Sequence, residues 1–434
     1  MNRFFGFKEK GTNIKREVLA GMTTFLTMVY IVVVNPAILS ETGMDFGAVF
    51  VATVLVSALS TLIMGVFANY PIAIAPGMGL NAYFAFSVVG QGQIGWETAM
   101  GAVLVAGILF LLLSVTRFRE GLIQAIPPSL KFGITAGIGM FIAFIGLKSA
   151  GIIVNDEANL VGLGDLSQPM TILSLCGLFV TLALITLRIP GALFLGMVLT
   201  ALGAWFSGLF TLPEQWVQLP PSMAPTFGVA IQSLPQVFEH GLYAVVFAFL
   251  LVTLFDTTGT MIGVAEQAGL ARDGNFPRMR QALLADAFGV TAGAVMGTSP
   301  TSAYVESSTG VAAGGRTGFT AVVISLLFLG TLFFEPVVSK VAGLPAITAP
   351  VLIIVGSFMM GGLSKVKWEE FDEAFPAFII MLSMPLTSSI ATGIAFGFIT
   401  YPLMKLVRGR GKEVHPLLYL FMALFILQLA FLPE

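Results

Sequence analysis

The chain is written almost entirely in apolar runs separated by short polar breaks. The runs fall at about 17–38, 48–69, 78–90, 97–116, 130–150, 170–187, 189–211, 239–262, 279–297, 301–313, 318–337, 346–363, 374–387 and 389–407, which we number as segments one to fourteen. A helix needs about 20 predominantly apolar residues to cross a bilayer, and most of these runs are long enough. A further stretch, 415–432, fits either an in-plane helix or one more span, and both stay open. Segments three and ten are too short to cross. Each follows a proline and a few extended-type residues: IAIAPGMGLNAYFAF over 72–86, and VMGTSPTSAYVESST over 295–309. A pair of short, Gly/Pro-interrupted segments at corresponding positions points to half-helices meeting at a site midway through the bilayer. The alternative is two ordinary interhelical loops.

Composition narrows the class. Hydrophobic residues make up 56% of the 434 and charged residues 10%, with a mean hydropathy of +0.94. Soluble domains carry about 25% charge, so an all-α polytopic membrane protein with little extramembrane mass is predicted. A net charge of −2 gives no basic face for nucleic acid. The single cysteine, Cys176, lies in an apolar run, which excludes a disulfide or thiolate metal site. His240 and His415 are too far apart in sequence to form an i,i+4 ligand pair. The charged N-terminal stretch lacks a small-residue cleavage site, so no removable signal is expected. Neither a phosphate-binding G-x-x-x-x-G-K-[ST] loop nor the H-E-x-x-H or G-x-S-x-G pattern occurs, which argues against a nucleotide-driven pump or a hydrolase.

Charge placement orients the segments. Arg3, Lys8, Lys10, Lys15 and Arg16 precede segment one; Arg117 and Arg119 follow segment four, and Arg188 follows six. Arg272, Arg278 and Arg280 follow eight, Arg316 ten, Lys365 and Lys367 twelve, and Lys405, Arg408, Arg410 and Lys412 fourteen. All lie on the N-terminal side, which the positive-inside rule makes cytoplasmic, as expected of a multi-pass cell-membrane protein. Residues 212–238 carry no Lys or Arg and divide the chain into two halves of seven segments. Because seven is odd, the second half enters from the opposite side: an inverted repeat.

Two acids interrupt apolar surroundings. Asp256 stands deep in segment eight and Glu306 at segment ten. A carboxylate at membrane depth costs a few kcal/mol on insertion scales and is a functional candidate by default; a helix cap or an internally bonded acid is the alternative. No deeply buried Lys or Arg is expected to pair with them, since Lys131 and Lys148 lie near the ends of segment five, where their stems can snorkel. A carboxylate withdrawn from water can take up and release a proton near neutral pH. Its oxygens also accept the N–H groups of a flat heterocycle. Thr257 and Thr260 flank Asp256, with Thr260 on its helix face; their hydroxyls serve either a ligand or the carbonyl one turn back. Asn81 offers both donor and acceptor to a ligand edge. Tyr83, Phe84 and Tyr304 either stack on a ring or pack. In segment one, Thr27 reads as a lining residue and Asn35-Pro36 as a helix terminus. Glu266, Asp273 and Asp286 read as solvated or ion-paired groups beside Arg272, Arg278 and Arg280.

The stretches APGMGLNAYF (75–84), FDTTGTMIGVA (255–265) and GTSPTSAYVESSTGVAAGGRTG (297–318) resemble signatures of the nucleobase–cation symporter-2 (nucleobase–ascorbate transporter) superfamily. More narrowly, they resemble its AzgA-like branch of adenine, guanine and hypoxanthine permeases. The resemblance implies a UraA-like fold: a 7+7 inverted repeat with short strands before the half-helices of segments three and ten. It further implies a core domain from 1–120 and 239–340, a gate domain from 121–211 and 341–434, and an external loop at 212–238. The family's acidic positions fall on Asp256 and Glu306, and its polar segment-three position on Asn81. Other branches carry Glu in place of Asp256, His in place of Thr260 and a Gln-His pair in segment one. Those departures favour purines and leave the proton carrier undecided between Glu306 and Asp256.

The expected function is secondary active import of a purine nucleobase by proton symport with alternating access, with no enzymatic activity and no cofactor beyond the coupling proton. Glu306 and Asp256 would accept the base's N–H groups, and Asn81 would fix its orientation. Backbone at 78–80 (from Met78) and 302–305 (from Ser302) would bond its carbonyl or ring nitrogens, with Thr27, Thr260 and Tyr304 lining the site. A homodimer through the gate domain stays open. The rivals are an anion or other small-solute transporter of the same fold, whose ligand two acids would repel if anionic, and a passive channel.

Overall fold

The computed structural model describes residues 2–90, 94–116, 125–157, 159–270 and 277–431. Arg117, Arg119, Arg272 and Asp273, and the expected domain boundary at 120/121, lie outside the described residues. Among the described residues, nine helices are long and apolar enough to cross a membrane, from Ile14–Ser40 to Ile390–Val407. Shorter apolar helices cover Met78–Val89, Ala192–Phe206 and Pro416–Ala430. Helix forms in each of the fourteen expected runs, in order. The chain is a multi-pass membrane protein.

Departures from the expected boundaries have local causes. Segment eight is the helix Tyr243–Gln267, not 239–262, because a separate short helix, Leu234–Glu239, ends just before Gly241 at φ +65°. That helix and Val229–Gln232 occupy the end of the stretch expected as plain loop. A hairpin, Ile153–Asp156 paired antiparallel with Leu160–Leu163, stands between segments five and six. Its strands are too short for alternation to announce them. The helix at the C-terminal end, Pro416–Phe431, packs Phe421 and Phe425 against Phe398 of segment fourteen and Phe247 of segment eight.

The helices pack in two sets. Segments one, two, four, nine and eleven lie against one another, and segment eight against four. Segments five, six, seven, twelve, thirteen and fourteen form the other set. Within it, segments five and twelve cross where Gly139 and Gly356 face each other. A Cβ on Gly139 would stand 2.5 Å from the Gly356 carbonyl oxygen, so only glycine permits that approach.

Two ionisable side chains at helix ends are buried. Lys405, expected in the cytoplasmic cluster, has a side chain 1% exposed and lies 2.9 Å from Asp372 and 2.7 Å from Glu373. Arg408 and Arg410 also pair with Asp372, and Ser129 and Tyr401 donate to Glu373. This lysine can be buried because acids at the start of segment thirteen replace its lost hydration. Glu17, near the start of segment one, is likewise buried. It accepts the backbone N–H of Arg316 at 2.9 Å and the hydroxyl of Thr320 at 2.6 Å, capping the start of segment eleven.

Candidate functional site

The site is built on a ladder of two three-residue strands. Ile74–Pro76 pairs antiparallel with Thr301–Ala303, Ala75 opposite Ser302. The pairing is extended by Gly77 N–H to the Pro300 carbonyl (2.9 Å) and Tyr304 N–H to the Ala73 carbonyl (3.0 Å). Pro76 and Pro300 interrupt helix here. Inside a membrane the freed backbone groups must find protein partners, and each strand supplies the other's. The hydroxyl of Thr61 braces Ile74, and that of Ser307 accepts the Ala73 N–H at 3.0 Å. From the ladder run two half-helices, Met78–Ala82 continuing in a wider turn over Tyr83–Val89, and Ser307–Ala312.

Both acids stand at this crossing. Asp256 is near the middle of Tyr243–Gln267, the helix packed on the strand that holds Ser302. With Gly79 and Leu80 of the first half-helix, Thr135 and Ile138 of segment five and Met359 of segment twelve, it lines a narrow cavity. Glu306 stands at the start of the second half-helix, against which the helix of Asp256 packs. One of its oxygens, Oε1, accepts the phenol O–H of Tyr30 at 2.9 Å. One turn away, the Thr27 hydroxyl donates to the Thr24 carbonyl (2.7 Å) and its oxygen lies 3.2 Å from that of Thr309. Segment one thus lies directly along the second half-helix.

Several expected residues take other positions. Asn81 is fully buried and bonded to the Ser299 hydroxyl, with its amide 4.0 Å from the Met78 sulfur. Asn35 does not end a helix. It lies inside Ile31–Ser40, buried, and donates to Thr53 at 2.6 Å and Thr298 at 2.8 Å. Segment one breaks earlier instead, at Val29–Tyr30. Asp286 is not at a solvated junction: it is fully buried in Met279–Met296 and accepts the Thr257 hydroxyl at 2.7 Å. Thr260 is half-buried, one turn beyond Asp256. Tyr304 is buried with its phenol on the Pro76 carbonyl, and its N–H is already taken by Ala73. Tyr83 packs on Phe249, ring centroids 4.8 Å apart.

Sequence reasoning missed Tyr30 and Ser299. The signal for Tyr30 was its place three residues after Thr27, on the same helix face. Ser299 carried none beyond its place before Pro300. Among the described residues, no cluster of His, Cys, Asp and Glu could hold a metal ion.

The sequence pattern of a permease family matches residues 15–396. A guanine/hypoxanthine permease of Bacillus subtilis, PbuO, is 56% identical over 98% of this chain and 99% of that protein. An adenine permease of Escherichia coli, AdeP, is 46% identical over 100% of this chain and 96% of that protein. The transmembrane domain of a cyanobacterial bicarbonate transporter, BicA, superposes with a TM-score of 0.66, covering 88% of this chain and 97% of that one. At 14% identity that last likeness concerns the fold alone.

Proposed function

Since the chain belongs to the xanthine/uracil permease family, within the nucleobase–ascorbate transporter superfamily, and is a transporter and not an enzyme, we propose that it imports purine nucleobases (hypoxanthine, guanine or adenine) by proton symport. What supports this reading is the pairing of the two strands that lead into the half-helices, with Glu306 at the start of the second and the helix of Asp256 packed against it. Carboxylate oxygens there match the N–H groups of a flat, uncharged base. The relatives named for guanine, hypoxanthine and adenine support the substrate class.

In this reading Asp256 and Glu306 accept the base's N–H groups, and one of them loads the coupling proton. The first amides of the half-helix at Met78, Gly79 and Leu80 have no carbonyl one turn back and face the base's carbonyl or ring nitrogens. Ser302 orients Asp256, while Thr27 and Thr260 line the approach. Asn81 and Tyr304 act from behind, holding the half-helices in register. The set built on segments one to four and eight to eleven is the core. The set built on five to seven and twelve to fourteen is the gate, and movement of one against the other opens the cavity beside Asp256 to each side in turn. The N-terminus faces the cytoplasm, across the cell membrane.

The test is uptake of labelled hypoxanthine into cells or proteoliposomes, competed by adenine, guanine, xanthine and uracil, with and without a protonophore. Competition by purines and collapse with the protonophore are expected. Uptake indifferent to all the purines removes the substrate; uptake indifferent to the protonophore, in the absence of a sodium gradient, removes the coupling.

A further inference from the structure

We propose that Tyr30 is a specificity-determining residue of this site: by holding Oε1 of Glu306, its phenol takes a lone pair from the oxygen that the second of two neighbouring ligand N–H groups would use, and so weakens the grip on such a pair. The proposal rests on the nucleobase reading above. A carboxylate offers about four lone-pair positions on two oxygens. In Glu306 one of the two on Oε1 is taken by the Tyr30 phenol.

The phenol has no room to leave. Tyr30 is buried, and its carbonyl accepts the N–H groups of both Val33 and Val34 (3.0 and 2.9 Å), which fixes the backbone at the break in segment one. Ten residues earlier, at Ala20, segment one lies against the half-helix at Gly310, where a Cβ would stand 2.6 Å from the Ala20 carbonyl oxygen. A carboxylate oxygen only accepts while a phenol can donate, so the phenol is the donor to Glu306.

The consequence is chemical. On the edge that carries its ring N–H, hypoxanthine presents a single donor. Guanine presents that donor and an adjacent exocyclic amine. A carboxylate with both oxygens free grips guanine's pair side by side and prefers it. With one lone pair of Oε1 already on the phenol, the second donor meets an oxygen whose accepting capacity is partly spent, and guanine's advantage is largely lost. Tyr30→Phe keeps the ring in its packing and releases Oε1.

The experiment is equilibrium binding of hypoxanthine and of guanine to purified wild-type protein and to Tyr30→Phe. Wild type is expected to bind the two within roughly threefold, while the variant shifts the ratio toward guanine by about tenfold, the scale of one hydrogen bond to a charged group. An unchanged or lowered ratio in the variant makes Tyr30 a packing residue and overturns the proposal. So does a wild type that already prefers guanine by about tenfold, a measurement that stands even if the variant does not fold. Binding of neither base by wild type is a different result: it removes the nucleobase reading, and this proposal with it.

Discussion

The phenol of Tyr304 donates to the carbonyl oxygen of Pro76 at 2.6 Å, across 228 positions of sequence. One residue leads into the second half-helix and the other into the first, so the bond joins the two halves at the point where their strands pair. An aromatic that sequence reading offered as a stacking face thus works as a strut. Its ring is buried and its hydroxyl is committed to the backbone.

Tyr304→Phe deletes that strut while keeping the ring. A buried carbonyl left without its donor costs about 1–3 kcal/mol. The variant is expected to melt at a lower temperature in detergent and to transport more slowly. An unchanged melting temperature means that the Pro76 carbonyl has found another partner.

Asp256→Asn and Glu306→Gln test the acids directly. Each preserves shape and removes the charge, so each is expected to abolish purine uptake while the protein still inserts and runs as a single species on gel filtration. Asp256→Asn is the variant expected to retain base binding while losing coupling. Full uptake by either variant removes that residue from the mechanism.

Lys405 tests the buried ion cluster. Lys405→Met leaves Asp372, its side chain 3% exposed, and Glu373 without their buried cation. Removing one partner of such a pair costs about 3–5 kcal/mol. Adding Glu373→Gln is expected to recover part of the loss, since Asp372 keeps Arg408 and Arg410 while Glu373 loses its buried cation. Thermal melting of both variants is the measurement, and a double variant less stable than the single one contradicts the pairing.

The outer part of the same cluster predicts a response to acid. Hydrogen bonds from Arg410 hold Glu370 and Glu413 below the usual glutamate value of 4.5. A depressed carboxylate contributes its stability in full above the ordinary value and loses it as pH falls through the lowered one. The melting-temperature gap between wild type and Arg410→Ala should therefore close as pH falls from roughly 6 to 3. A gap that widens in acid gives the opposite sign and refutes the assignment.

The site was legible in sequence only where residue type alone carried the signal. Asp256 and Glu306 stood out because a carboxylate inside an apolar run is costly wherever the chain folds. The half-helices stood out because Pro76 and Pro300 interrupt runs too short to span. The burial of Asp286 and of Lys405 was not legible in sequence, because each lies near charges there, and nearness in sequence does not tell exposure. Their real partners, Thr257 for one and Asp372 with Glu373 for the other, come from neighbouring helices.

Sequence by itself determined the membrane class, the fourteen runs, the opposed halves and the two acids, because transfer from water to lipid is a property of each residue and its immediate run. Tertiary structure decided the partners: Tyr30 on Glu306, Ser299 on Asn81, Glu17 at the start of segment eleven. A helix that is apolar on every side has no amphipathic stripe to say which face meets a neighbour. That choice is made only when the helices pack.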